Sequence, residues 1–142
     1  MVDWTDMTPA ARYAMALNSS TPAEVLTKLA EDRDPTIRMG VASNSNTPGQ
    51  VLRDLARDGG FSVRYAVASN SNTPGQVLRD LARDERLSMR CAVASNPNTP
   101  GDILDDFASN ASLESSDIVK RVSQNPSTSE EMKVVCALRL GW

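Results

Sequence analysis

The chain has no histidine. Without an imidazole neither a Ser-His-Asp nor a Cys-His nucleophilic pair can be assembled, and a His-liganded zinc site is excluded too. Cysteine is almost as scarce. Cys91 and Cys136 are the two present in 142 residues, too few for a four-cysteine metal site or an iron–sulfur cluster held by this chain alone. Free thiols in a reducing cytosol are favoured over a single disulfide between them. Aromatic residues make up 4% of the chain, so a core has to come from aliphatic and small side chains. There is no run of about 18 apolar residues, which excludes a bilayer-spanning helix. The start, Met1-Val2-Asp3-Trp4, lacks the basic and then apolar pattern of a secretory signal, and a cytoplasmic protein is expected. An excess of positive charge is missing as well: 15 Lys and Arg stand against 18 Asp and Glu, a net charge of −3, whereas non-specific phosphate binding needs an excess of positive charge.

What the chain does have is a repeat. Residues 41–58, VASNSNTPGQVLRDLARD, recur letter for letter at 67–84, an offset of 26. Thr-Pro pairs keep the period at Thr21-Pro22, Thr47-Pro48, Thr73-Pro74 and Thr99-Pro100. A fifth, weaker copy at Asn125-Pro126-Ser127-Thr128-Ser129 is displaced by three extra residues within 109–118. The whole of 1–142 is accounted for as one domain: an N-terminal cap over 1–11, four repeats over 12–118 and a degenerate capping repeat over 119–142.

Each unit predicts two helices. Thr47 reads as an N-cap, Pro48 as the first helical residue and Gln50 as the capping-box partner, an arrangement offered again with Glu24, Gln76, Asp102 and Glu131. Val51, Leu52, Leu55 and Ala56 then form one apolar stripe on a helix of about ten residues, with Gln50, Arg53, Asp54 and Arg57 outward. A second, short helix follows turns such as Asp34-Pro35 or Gly59-Gly60 and buries Ile37, Gly40 and Val41, or Val63, Ala66 and Val67, or Met89, Ala92 and Val93. Asn44, Asn70 and Asn96 are expected to close it in the left-handed conformation. Two short helices cannot bury their apolar faces alone, so the units are expected to stack on their neighbours.

The string V-A-S-N-P/S-N-T-P-x-x-[VI]-L-x-x-[LF]-A-x-D, at 41–58, 67–84 and less perfectly 93–110, resembles the leucine-rich repeat variant family, a HEAT-like kind of α-solenoid. The resemblance covers most of the chain. It implies an all-α fold of helix pairs wound into a right-handed superhelix. The founding type of that family also carries a cysteine-rich cluster-binding segment that nothing here matches, so no cofactor is implied.

Three columns of residues are candidate sites. Asp precedes Arg by six positions at Asp6 and Arg12, Asp32 and Arg38, Asp58 and Arg64, and Asp84 and Arg90. This suggests a ladder in which each Asp pairs with the Arg opening the next helix or with backbone N–H groups there; unpaired, the Arg row could meet phosphates or carboxylates. Asn18, Asn44, Asn70, Asn96 and Asn125 form a second column, read as turn-capping. The third is the position after the ladder Arg, where near-identical copies disagree: Tyr13, Met39, Tyr65, Cys91, Lys120. It is expected to stand on the surface, and exposed Tyr, Met and Arg are residue types enriched at protein interfaces.

The favoured function is therefore a non-catalytic protein-recognition module, with Arg12, Tyr13, Arg38, Met39, Arg64, Tyr65, Arg90 and Cys91 meeting a protein partner. One alternative is nucleic-acid binding through those Arg or through Arg53, Arg57, Arg79 and Arg83; another is a self-assembling structural protein. An enzyme would rest on carboxylates such as Asp105 and Asp106, which without His or Lys nearby look like a hydrated helix face. The apolar stretch Val134–Trp142 packs as a terminal cap or supports a homodimer, and Trp4 with Thr8-Pro9 seals the other end.

Overall fold

Apolar positions that recur three and four residues apart dictate helices, and helices are what forms. The computed structural model describes residues 3–110 and 116–142. Among the described residues it contains ten α-helices, one 3-10 turn at Trp4–Asp6 and no strand. The three extra residues assigned to 109–118 lie partly outside the described residues, because 111–115 are not among them.

The chain divides into two compact units, Met1–Thr73 and Pro74–Trp142. In the first, the nine-residue helices α1 (Pro9–Leu17), α3 (Pro35–Ser43) and α5 (Phe61–Ser69) alternate with the seven-residue helices α2 (Ala23–Leu29) and α4 (Gly49–Leu55). Helix α3 packs between α1 and α5, and each shorter helix packs on the longer ones before and after it. The core is aliphatic: Leu26, Leu29, Ile37, Val41, Leu52, Val63 and Val67 are at most 2% exposed. Small residues let the long helices approach. A Cβ built on Gly40 would stand 3.0 Å from the Ala16 Cβ and 3.3 Å from the Tyr13 ring.

The second unit holds α6 (Gly75–Leu81), α7 (Leu87–Ser95), α8 (Gly101–Asn110), α9 (Ser116–Gln124) and α10 (Glu130–Leu140). Helix α9 packs on α7, α8 and α10. Its Ile118, Val119 and Val122 share an apolar cluster with Cys91, Ala94, Leu104, Ala108 and Cys136. Helix α10 ends on Gly141, the one residue with positive φ (74°) among those described, with Trp142 N–H donating back to the Ala137 carbonyl at 3.0 Å, the wrapped end that favours glycine.

Four local expectations need correcting. The helix after each Thr-Pro is seven residues and not about ten in α2, α4 and α6: Pro22, Pro48 and Pro74 are the N-cap residues themselves, with ψ near 145° and no side-chain cap bond, and Ala30, Ala56 and Ala82 already stand as C-caps. The threonines do not cap it. Thr21, Thr47, Thr73, Thr99 and Thr128 are buried, and each hydroxyl donates to the carbonyl six residues earlier, at Met15, Val41, Val67, Val93 and Val122, over 2.5–2.6 Å. They cap the C-terminus of the preceding helix, whose last carbonyls lack intrahelical partners. The expected capping box is likewise absent at Gln50, whose amide bonds Asp54 of its own helix. Conventional N-caps stand at Thr8, Asp34 and Ser129.

The asparagines are not left-handed either: Asn44, Asn70 and Asn96 have φ of −77° to −79° and ψ of 124° to 127°. In that extended conformation the side chain turns inward. Asn44 Nδ2 donates to the carbonyls of Ala16 (2.7 Å) and Asn18 (2.9 Å), while its Oδ1 accepts from Asn46 N–H at 2.8 Å. Asn70 repeats this on Ala42, Asn44 and Asn72, and Asn125 on Ala94, Asn96 and Ser127. A primary amide is the smallest side chain that donates twice and accepts at once, so each Asn closes its own turn and ties it to the turn before.

Candidate interaction surface

The ladder arginines sit at the fourth position of the long helices, where the side chain reaches back over the helix start. Arg38 Nη1 donates to the backbone carbonyls of Asp32 (2.7 Å) and Arg33 (3.1 Å). Its Nε and Nη2 grip the Asp58 carboxylate at 2.7 and 3.2 Å. Arg12 does the same, with Nη1 on the Met7 carbonyl at 2.6 Å and Nε on Asp32 at 2.7 Å. The expected pairing is thus reassigned. The carboxylate of Asp58 belongs to Arg38, 20 residues earlier, while Arg64 takes the Asp58 backbone carbonyl at 2.7 Å. Backbone N–H groups are the other half of the expectation, and they do contribute: Asp32 and Asp58 accept from the N–H groups of Asp34 and Gly60.

Geometry explains the difference. An Arg side chain laid along its own helix start meets backbone oxygens, and its other edge faces the neighbouring turn. The Arg38 hydrogen bond holds the Asp58 carboxyl below the usual carboxylate range, against the opposing effect of burial, with Gly60 N–H, the Arg38 charge and the Arg64 charge assisting. The same bond raises the Arg38 guanidinium above its ordinary value. Both side chains are mostly covered, 21% and 9% exposed. Arg90 uses Nη1 on the carbonyls of Asp84 and Glu85. On α6 Arg79 pairs with Asp102 in the open; Arg53 on α4 is exposed, as are Arg57 and Arg83 just past the ends of α4 and α6.

The variable column is not uniformly on the surface. Tyr65 is 40% exposed and Lys120 is exposed, but Tyr13 and Met39 are half-buried and Cys91 is buried at 9%. Cover decides the outcome. Helix α9 lays Val119 and Val122 over the cluster that contains Cys91, and the Tyr13 ring lies on the Cα hydrogens of Gly40. In the next gap Met39 stands beside Ala66, and there a groove of about 320 Å³ opens between α3 and α5. It is lined by Met39, Ser43, Phe61, Tyr65, Ala66 and Ser69, with the Phe61 and Tyr65 rings tilted 5.9 Å apart. The column therefore contributes Met39 and Tyr65 to one place. Phe61, Ser43 and Ser69 were missed, although the sequence holds a signal for them: apart from Arg12, Arg38 and Arg64, helices α1, α3 and α5 contain no charged residue.

A second opening of about 630 Å³ near Trp4 is lined by Arg12, Lys28, Arg33, Glu31 and Asp32, three cations against two carboxylates, of which Arg12 and Asp32 form an ion pair. In the second unit Cys136 is fully buried and burial pushes its thiol up, away from the thiolate that nucleophilic chemistry needs. Asp105 and Asp106 are exposed on α8. Among the described residues no three His, Cys, Asp or Glu come together as a metal site, and no helix is long and apolar enough to cross a membrane. The apolar side chains of Val134 (59% exposed) and Leu138 (74%) on α10, and of Trp142 (70%) just past its end, face outward, while Cys136 faces the core. Comparison with protein-family models, with curated proteins and with solved structures finds no match to this chain.

Proposed function

We propose that the chain is a non-catalytic protein–protein interaction module: a right-handed, HEAT-like α-solenoid of about five 26-residue helix pairs, of the leucine-rich repeat variant type, acting in the cytoplasm. One observation carries the reading. Asn44, Asn70 and Asn125 each tie their turn to the turn before through the same pair of backbone carbonyls. Such a device builds an ordered row of helix faces, and a row of faces is an extended binding surface. The uncharged side of α1, α3 and α5 suits it, because interface centres are depleted in charge. Nucleic-acid binding is disfavoured, since Arg12, Arg38 and Arg79 already hold carboxylates.

The test is capture with identification by mass spectrometry, comparing the natural chain with the double variant Met39→Ala, Tyr65→Ala. The variant is expected to melt nearly as the parent does and to lose at least one captured protein. An identical captured set would remove this face from the reading. The apolar side of α10 favours one addition, a homodimer formed through Val134, Leu138 and Trp142. Sedimentation equilibrium is expected to give a dimer that Leu138→Glu dissociates; a monomer at all concentrations would remove it.

A further inference from the structure

The groove between α3 and α5 has a chemistry of its own. It is lined by Met39, Phe61, Tyr65 and Ala66 together with Ser43, Ser62 and Ser69, and the Ser43 hydroxyl already donates to the Met39 carbonyl at 3.0 Å. Ser62 and Ser69 are exposed, so donors stand where a peptide backbone would pass. No charged side chain lines it. Around it, the only charges on α1, α3 and α5 are Arg12, Arg38 and Arg64, and all three are half-buried with Nη1 fixed on backbone carbonyls. A charged segment lying here would be desolvated with nothing to answer its charge.

Size separates the remaining occupants. Three nine-residue helices are each ~13 Å long, and spaced at ~10 Å they present roughly 400 Å² of face, about half of what each partner of a stable dimer contributes. A second copy of the chain is too large an occupant for so small a face. The groove volume instead suits one bulky side chain and its flanking backbone.

Resting on the interaction-module reading, the geometry points to a binding site for a short, extended, uncharged peptide segment that inserts one Leu, Met, Phe or Trp side chain between Met39 and Tyr65. The corresponding position one gap earlier is occupied differently, for a physical reason. Between α1 and α3 the Tyr13 ring lies against Gly40, which leaves room for it, whereas the equivalent pair between α3 and α5 is Met39 and Ala66, both lining the groove.

The experiment is panning of a random dodecapeptide display library on the full chain, followed by fluorescence anisotropy with the enriched peptides synthesised and labelled. Enriched sequences are expected to lack Asp, Glu, Lys and Arg around a single large apolar residue. Their affinity should change less than about twofold between low salt and ~0.5 M salt, since no ion pairs are made. Tyr65→Ala and the slot-filling Ser69→Trp should each weaken binding about tenfold or more, while Leu138→Ser should leave it unchanged. Circular dichroism of both slot variants verifies that they are folded. Peptides that bind equally to both variants would overturn the slot and leave the broader reading standing. Charged, salt-sensitive peptides, or no enrichment at all, would also overturn it, and the capture experiment then judges the broader reading by itself.

Discussion

Asn44 offers the sharpest perturbation of the fold, because one side chain makes three hydrogen bonds while 3% exposed. Asn44→Ala removes all three. The Ala16 carbonyl lies in a fully buried residue, so leaving it unpaired costs ~1–3 kcal/mol. Asn18 and Asn46 are exposed, and water takes over their backbone groups, leaving about 0.5–1 kcal/mol of net bond energy lost at each. The sum is about 3 kcal/mol, or a fall in melting temperature of roughly 6–12 °C for a chain of this size. Asn44→Asp separates bonding from packing. Its carboxylate would face the carbonyls that the amide group now serves, so the folded-state pKa rises above the unfolded value of about 3.9. A raised carboxyl is most favourable below the unfolded pKa, where its O–H can donate, and stability declines as the pH rises through the folded value. The Asp variant should therefore match or exceed the Ala variant near pH 3.5 and fall below it at pH 7. Urea and thermal melts followed by circular dichroism at both pH values measure this. An Ala variant melting within about 2 °C of the parent, or an Asp variant with no pH dependence beyond the parent's, would refute the reasoning.

The same asparagines show how far the sequence could be read. Their spacing, with that of Thr-Pro and of the apolar positions, was enough for an all-helical chain and for the inward positions Ile37, Val41, Val63 and Val67, because apolar periodicity is a property of one helix and needs no knowledge of its neighbours. What escaped was the partner of most side-chain bonds that leave their own helix, the Asp32 and Asp58 bonds to backbone N–H groups excepted. Thr47 preceding Pro48 satisfies the rule for an N-cap, yet proline's fixed φ is compatible with an extended N-cap as well as with the first helical turn. The hydroxyl's alternative acceptor, the Val41 carbonyl, lies in the helix before. Asp58 stands six residues before one Arg and 20 after another, and only the fold decides between them. Cys91 occupies a column that the structure leaves open at Tyr65 and covers at α9, an outcome set by the neighbouring element. The groove at Met39 and Tyr65 was half legible for the same reason: the column pointed at those two, whereas Phe61 and Ser69 belong to it only because α3 and α5 lie side by side.

Three further outcomes follow from the same geometry. Gly40→Val should destabilise by about 1–3 kcal/mol through overpacking, because even its Cβ would press on the Ala16 Cβ at 3.0 Å; a melt unchanged from the parent would show that α1 and α3 can part freely. Arg79→Ala should leave the melting temperature unchanged, since its partner Asp102 lies in open solvent and exposed pairs are screened; a clear loss would mean that this pair is structural. Asp58→Ala is the contrasting case, expected to cost about 2 kcal/mol at pH 7 because it removes covered, charge-assisted bonds from Arg38 and the Gly60 N–H,. The Arg38 hydrogen bond depresses the Asp58 pKa, and a depressed carboxylate stabilises the fold above its unfolded pKa of about 3.9. That contribution disappears as the pH falls through the lower folded value. The gap between the natural chain and Asp58→Ala should thus be widest at neutral pH and shrink on acidification below about pH 4; a gap that stays constant with pH would mean that packing, and not charge, holds Arg38 in place.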